Sequence, residues 1–212
     1  MSNIQFAQEI GLNLLQINAV QLNIEKPYTW ASGWNSPIYC DNRRILSYPK
    51  IRNKVLTGMT LLAKQHFPDA DCIAGVATAG IPHGVLIAEK LDLPFVYIRS
   101  AAKEHGLSRL IEGEIMPKAK VLVVEDLIST GKSSLKAVET IRNAGFEVVG
   151  LIAVFTYGFA IAEKAFSDAN CLYYTLSNYE ALLDAALNEN IFDEKQVQLL
   201  KKWRENPENW LK

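Results

Sequence analysis

Long apolar runs, cysteine clusters and excess charge are all missing from this sequence, and each absence excludes a class of protein. The longest mainly apolar stretch, VVGLIAVFTYGFAIA at 148–162, is shorter than the roughly 20 residues a membrane span needs, and Tyr157-Gly158 interrupts it. The start, MSNIQFAQEIGLN, has neither the basic end nor the continuous apolar core of a secretory signal. Cys40, Cys72 and Cys171 are far apart and form no CxxC pair, so they read as reduced thiols of a cytoplasmic protein. His66, His83 and His105 lack metal-ligand spacing, which argues against a zinc site. Lys and Arg number 22 against 23 Asp and Glu, a net charge of -1. That balance excludes a bulk nucleic-acid binder but leaves room for a local basic site. No membrane partner and no nucleic-acid partner is expected.

What is present suits one soluble domain with a sizeable core: 212 residues, 49% hydrophobic and 21% charged. Phe6, Ile10, Leu14 and Ile17 recur at helical intervals over 4–18. The aromatic-rich YTWASGWNSPIYCDNR (28–43), broken by Gly33 and Pro37, suits short strands and a turn, and a helix is expected over about 49–66. From residue 71 the rhythm changes. DCIAGVA, LPFVYI, AKVLVVE, EVVGLIAVF and CLYYTL read as strands; IPHGVLIAEKL, SSLKAVETIRNAG and FAIAEKAFSD read as helices. Continuous apolar strands alternating with helices predict an α/β fold whose mainly parallel sheet is flanked by helices on both faces. The expected division is a smaller N-terminal subdomain over about 1–68, an α/β core over about 69–176, and a C-terminal helical segment over about 177–212, with Trp203 and Trp210 as anchors.

Ligands of open parallel sheets bind beyond the carboxyl ends of the strands. Three segments are expected there: GVATAGIP (75–82), RSAAKEHG (99–106) and EDLISTGKS (125–133). In the last, Val121–Val124 run into Glu125 and Asp126, and a turn with Ser129, Thr130 and Gly131 opens a helix. A Walker A loop is rejected, because the glycine it needs before Gly131 is replaced by Asp126. A hydroxyl-bearing turn at a helix N-terminus suits a phosphate, and the carboxylates, which would repel one, suit ribose hydroxyls. Ribose 5-phosphate satisfies both halves; the plainer alternative is solvated carboxylates and an ordinary helix cap. RSAAKEHG gathers Arg99, Lys103 and His105, followed by Arg109, in a long polar segment. It reads either as a lid bringing cations to a polyphosphate or as a solvated charge cluster. Gly80 in GVATAGIP suits either an anion-binding nest or mere turn geometry. His83 reads as structural.

Together these segments resemble the type I phosphoribosyltransferases, whose signature of a strand, two acidic residues and a TG-containing phosphate loop is matched along VLVVEDLISTGKSS. KEHG and SGWNSPIYCD resemble, within that family, the catalytic lid and the base-facing N-terminal segment of its orotate-using branch. The resemblance implies the type I phosphoribosyltransferase fold with an N-terminal hood. It also implies transfer of ribose 5-phosphate from phosphoribosyl diphosphate to orotate, with Mg2+ carried by the donor's diphosphate rather than by protein ligands. By that resemblance Glu125 and Asp126 hold the ribose hydroxyls. The segment of Ile128, Ser129, Thr130, Gly131, Lys132 and Ser133 wraps the 5-phosphate, and Leu127 also binds the donor. Ser129 also touches orotate, and Ala79 and Gly80 meet the diphosphate. Arg99, Lys103 and His105 close over the diphosphate from the other subunit of a homodimer, with Lys103, His105 and Asp126 as the catalytic set. The match has departures: Ser100 stands where many members carry a lysine, Ala31 where some carry a basic residue, and Thr78-Ala79 where some carry an aromatic residue and a lysine. Transfer to a purine or another base, and a regulatory protein that binds phosphoribosyl diphosphate, are the alternative functions.

Overall fold

The computed structural model describes residues 3–30, 33–101 and 110–210. Contacts divide the chain into two compact units, Met1–Ile51 with Ser177–Lys212, and Arg52–Leu176. The first unit opens with helix α1 (Asn3–Gln16), which buries Ile10 and Leu14 completely. Strand β1 (Val20–Leu22), β2 (Tyr28–Thr29), β3 (Asn35–Ser36) and β4 (Ile38–Cys40) follow, with β1 pairing β4 and β2 pairing β3, both antiparallel. Short strands broken by a turn are what the Gly33 and Pro37 punctuation predicts. A 3-10 turn, Asn42–Ser47, is capped by the Asp41 side chain and leads into helix α2 (Pro49–His66).

The second unit is built on β5 (Cys72–Val76), α3 (Gly80–Leu91), β6 (Phe95–Ile98), β7 (Ile111–Glu112), β8 (Lys120–Ile128), α4 (Lys132–Asn143), β9 (Glu147–Thr156), α5 (Ala160–Asp168) and β10 (Tyr173–Asn178). The sheet order is β10-β9-β8-β5-β6-β7. β6, β5, β8 and β9 pair in parallel, and β7 joins the edge of β6 antiparallel. The expected mainly parallel sheet is therefore present. Its central strands are buried on both faces, which is why they read as unbroken apolar runs: all of β5 and the last seven residues of β9 are buried. Each Val, Leu, Ile or Phe so buried contributes on the order of 1.5–3 kcal/mol, and this core is what holds the strand ends rigid.

Two details differ from the sequence expectation. β8 does not stop at the acidic pair. It runs through Glu125 and Asp126 to Ile128, because the ladder to β9 continues with Glu125 opposite Ala153 and Ile128 opposite Thr156. The C-terminal helices α6 (Tyr179–Asn188) and α7 (Glu194–Glu205) fold with the N-terminal residues. The Ser177 hydroxyl donates to the Ala7 carbonyl at 2.7 Å, and Nε1 of the fully buried Trp203 donates to the Asn35 carbonyl at 3.2 Å. α7 begins with a capping box between Asp193 and Gln196. All three cysteines are free and buried, and burial pushes the Cys72 thiol up to about 11.

Candidate active site

A cavity of about 600 Å³ opens at the carboxyl ends of β5 and β8. Ala77, Thr78 and Ala79 form one side. Glu125, Asp126 and Leu127 come from the end of β8, and Ser129 to Ser133 with Lys136 from the turn and α4. Two helices begin here, α3 after Ala79 and α4 after Gly131, and neither start is capped by a side chain. The first backbone N–H groups of a helix have no partner within it, and the helix dipole adds partial positive charge at that end. The cavity is thus lined by two uncapped helix starts and an acidic pair.

Glycine is required at both helix starts, for different reasons. Gly131 sits at φ 77°, the left-handed conformation that turns β8 into α4, and a Cβ there would meet the Phe166 ring at 2.8 Å. Gly80 is a packing glycine: a Cβ would collide with the Val124 carbonyl oxygen, so α3 can lie against β8 only if position 80 has no side chain.

The two carboxylates are unequal. Glu125 is only 5% exposed; its Oε2 accepts from the Ser134 hydroxyl at 3.2 Å and its Oε1 from the Asp126 backbone N–H at 3.2 Å. Burial first, and the Asp126 carboxylate second, hold Glu125 well above the usual carboxylate range. Asp126 is half-buried and lines the cavity. Hydroxyls of a bound sugar would therefore find an accessible acceptor in Asp126 and a stiffly held one in Glu125.

Of the residues expected at the site, Ala79, Glu125, Asp126, Leu127, Ser129, Thr130, Gly131, Lys132 and Ser133 share this cavity. The Ile128 side chain is fully buried in the core, and Gly80 is buried against β8. Arg99 is paired with Glu112 of β7 at 3.4 Å and its backbone N–H donates to the Leu110 carbonyl at 2.8 Å. Lys103, His105, Gly106 and Arg109 lie outside the described residues, as does Ala31. His83 is 3% exposed, burial drives its imidazole down to about 4, and its Nε2 has no hydrogen-bond partner among the described residues. Sequence reasoning missed Lys136 and Ser134. Lys136 was legible, standing one helical turn after Lys132 on a helix whose start was recognised.

In SGWNSPIYCD, the buried Ser36 hydroxyl donates to the Ile38 carbonyl at 2.6 Å, and Asp41 pairs with Arg43. Trp30 lies between Trp34, stacked at 6.4 Å, and Trp203, edge-on at 5.6 Å.

The phosphoribosyl transferase domain family matches residues 50–190. The orotate phosphoribosyltransferase of Cytophaga hutchinsonii is 52% identical over 98% of this chain and 99% of its own. The chain belongs to the orotate phosphoribosyltransferase family. Among solved structures, the orotate phosphoribosyltransferase of Aeropyrum pernix aligns with a TM-score of 0.75 and 25% identity, over 87% of this chain and 99% of that one. The UMP synthase of Leishmania donovani aligns with a TM-score of 0.79 and 27% identity, over 93% of this chain but 42% of that longer chain. The fold is thus the type I phosphoribosyltransferase fold, as these orotate phosphoribosyltransferases have it, and the acidic pair with its TG turn lies within the matched region.

Proposed function

We propose that this protein transfers ribose 5-phosphate from phosphoribosyl diphosphate to orotate, forming orotidine 5'-monophosphate and diphosphate in the synthesis of pyrimidine nucleotides. The observation that carries the reading is the acidic pair set between two uncapped helix N-termini in one cavity. The donor has the matching order of groups: a phosphate, a ribose with hydroxyls, and a diphosphate. The choice of orotate rests on the family.

In this reading the start of α4, with Ser129 to Ser133, holds the 5-phosphate on backbone N–H groups. Asp126 and Glu125, the latter held by the Ser134 hydroxyl, accept from the ribose hydroxyls. Ala77–Ala79 and the start of α3 receive the diphosphate. During transfer the bond from the anomeric carbon to the diphosphate oxygen breaks and a bond to the orotate ring nitrogen forms. The electron pair leaves with diphosphate, and the proton of the ring nitrogen goes to solvent. Positive charge grows on the sugar beside Asp126, and negative charge grows where the α3 N–H groups point, so preorganised charge favours the transition state. Arg99, Lys103 and His105 are assigned to the diphosphate, contributed across a homodimer.

Mg2+ fits this site as a companion of the donor, because the diphosphate itself supplies hard oxygen ligands of the kind the ion prefers. Bound magnesium would neutralise charge on the leaving diphosphate. No described helix is long and apolar enough to cross a membrane. The free, buried thiols support the cytoplasm as the location.

The test mixes protein, magnesium, phosphoribosyl diphosphate and one base at a time, following loss of orotate absorbance or release of diphosphate. Orotate should be consumed far faster than uracil, adenine, hypoxanthine or guanine. Comparable turnover of a purine removes the orotate assignment and leaves the fold untouched.

A further inference from the structure

The described lining of the cavity carries two carboxyl groups, Glu125 and Asp126, and two cations, Lys132 and Lys136. A phosphorylated donor brings about -1.5 to -2 charges per terminal phosphate at neutral pH, so the cations have work beyond balancing the acids. Lys132 belongs to the phosphate turn. Lys136 stands one helical turn further along α4, on the same face.

Its ammonium makes a bond that leaves the helix altogether. Lys136 Nζ donates to the Ser100 carbonyl at 2.9 Å. Ser100 follows β6, α4 follows β8, and β5 lies between those strands in the sheet. The bond thus joins the helix after β8 to the chain after β6, and Lys136 lines the same cavity as Ala77, Thr78 and Ala79, which follow β5. An ammonium has three N–H donors; one is taken by Ser100, which leaves two for an anion. A long, flexible cation is thus held at one end of the cavity before any ligand arrives.

We propose that Lys136 is a further substrate-binding residue, a tethered ammonium that takes a phosphoryl oxygen of the donor at the end of the cavity walled by Ala77–Ala79 and does not touch the base. The proposal takes its donor from the function assigned above and its geometry from the cavity and the Ser100 bond.

The experiment compares the full-length wild type with Lys136→Gln and Lys136→Arg. Binding of inorganic diphosphate with magnesium is measured by calorimetry at two salt concentrations, and KM is measured for donor and for orotate. In Lys136→Gln the diphosphate Kd and the donor KM should rise about tenfold, the scale of one charge-assisted hydrogen bond. The orotate KM should stay unchanged, and diphosphate binding should depend less on salt than in the wild type. Lys136→Arg should restore most of the affinity. The proposal is overturned if Lys136→Gln binds diphosphate as tightly as wild type, if the orotate KM rises in step, or if the loss leaves the salt dependence unchanged. Wild type that binds diphosphate but prefers another base removes the orotate reading and leaves Lys136 in place. Wild type that binds no diphosphate overturns both.

Discussion

Gly80→Ala tests whether the site depends on how closely α3 approaches β8. The added Cβ would overlap the Val124 carbonyl oxygen and stand 3.3 Å from the Glu125 Cα. Both neighbours are backbone in a strand hydrogen-bonded on each side, so neither can rotate aside as a side chain would. Relief must come from α3 moving outward. Overpacking of this kind costs about 1–3 kcal/mol. For a chain of this size that lowers Tm by about 2–12 °C. The same movement displaces the α3 N-terminus from the cavity, and misplacement on the ångström scale costs up to about 100-fold in rate. Gly145→Ala is the control: its φ of 87° makes an alanine strained, but nothing lies within 4 Å of the new Cβ. It should cost about 1–2 kcal/mol and leave turnover intact. Thermal unfolding and steady-state orotate turnover on both variants give the answer. If Gly80→Ala loses stability no more than Gly145→Ala and keeps its activity, close packing at position 80 does not position the site.

Three further outcomes are expected. Asp126→Asn should fold normally and lose about 10²–10³ in turnover, the scale of one preorganised electrostatic group; near-full activity would return Asp126 to an ordinary solvated residue. Glu125, raised in the folded state, binds more protons there than in the unfolded chain. It therefore destabilises the fold increasingly as pH climbs above its ordinary value of 4.5. Glu125→Gln should accordingly gain stability relative to wild type in urea unfolding as pH rises from about 4.5 to 8, and a difference flat with pH would contradict its burial as an acid. If Lys103 serves the partner's site, co-expressed Lys103→Ala and Asp126→Ala chains should form mixed dimers with one intact site, restoring about a quarter of wild-type activity; verified mixed dimers without recovery would place Lys103 in its own chain's site.

The parallel sheet was legible because burial on both faces leaves a one-dimensional trace: CIAGV and VLVV have no polar face to interrupt them. Helix α2 was legible to its bounds, since Pro49 suits a helix start and His66 precedes Pro68. β7 was not, because two residues, Ile111 and Glu112, carry no period, and only their ladder to Tyr97 and Ile98 makes them a strand. The pairing of the C-terminal helices with the N-terminal residues was hidden for the same reason. It rests on contacts such as Ser177 to Ala7, which leave no local pattern. At the site, residue types and spacing announced ribose and phosphate chemistry, but adjacent acids looked equivalent. Their difference comes from the burial of Glu125, with α3 packed closely against its backbone, and that is a tertiary fact.

The departures from the family pattern show where reading along the chain misleads. Ala79 and Ser100 look like lost cations when each position is compared with members that carry lysine there. In space, Ala79 lines the cavity that Lys136 also lines, and the Ser100 carbonyl is the group that holds the Lys136 ammonium. Attraction to a phosphate depends on the distance and surroundings of the charge, not on which element carries it. A cation delivered from α4 can therefore serve where one from the β5 or β6 loop is absent, provided something fixes its long stem. That condition is what the Ser100 bond supplies. The absence of lysine at 79 and 100 is then no argument for a weakened site; the argument turns on whether charge at 136 is felt by the ligand.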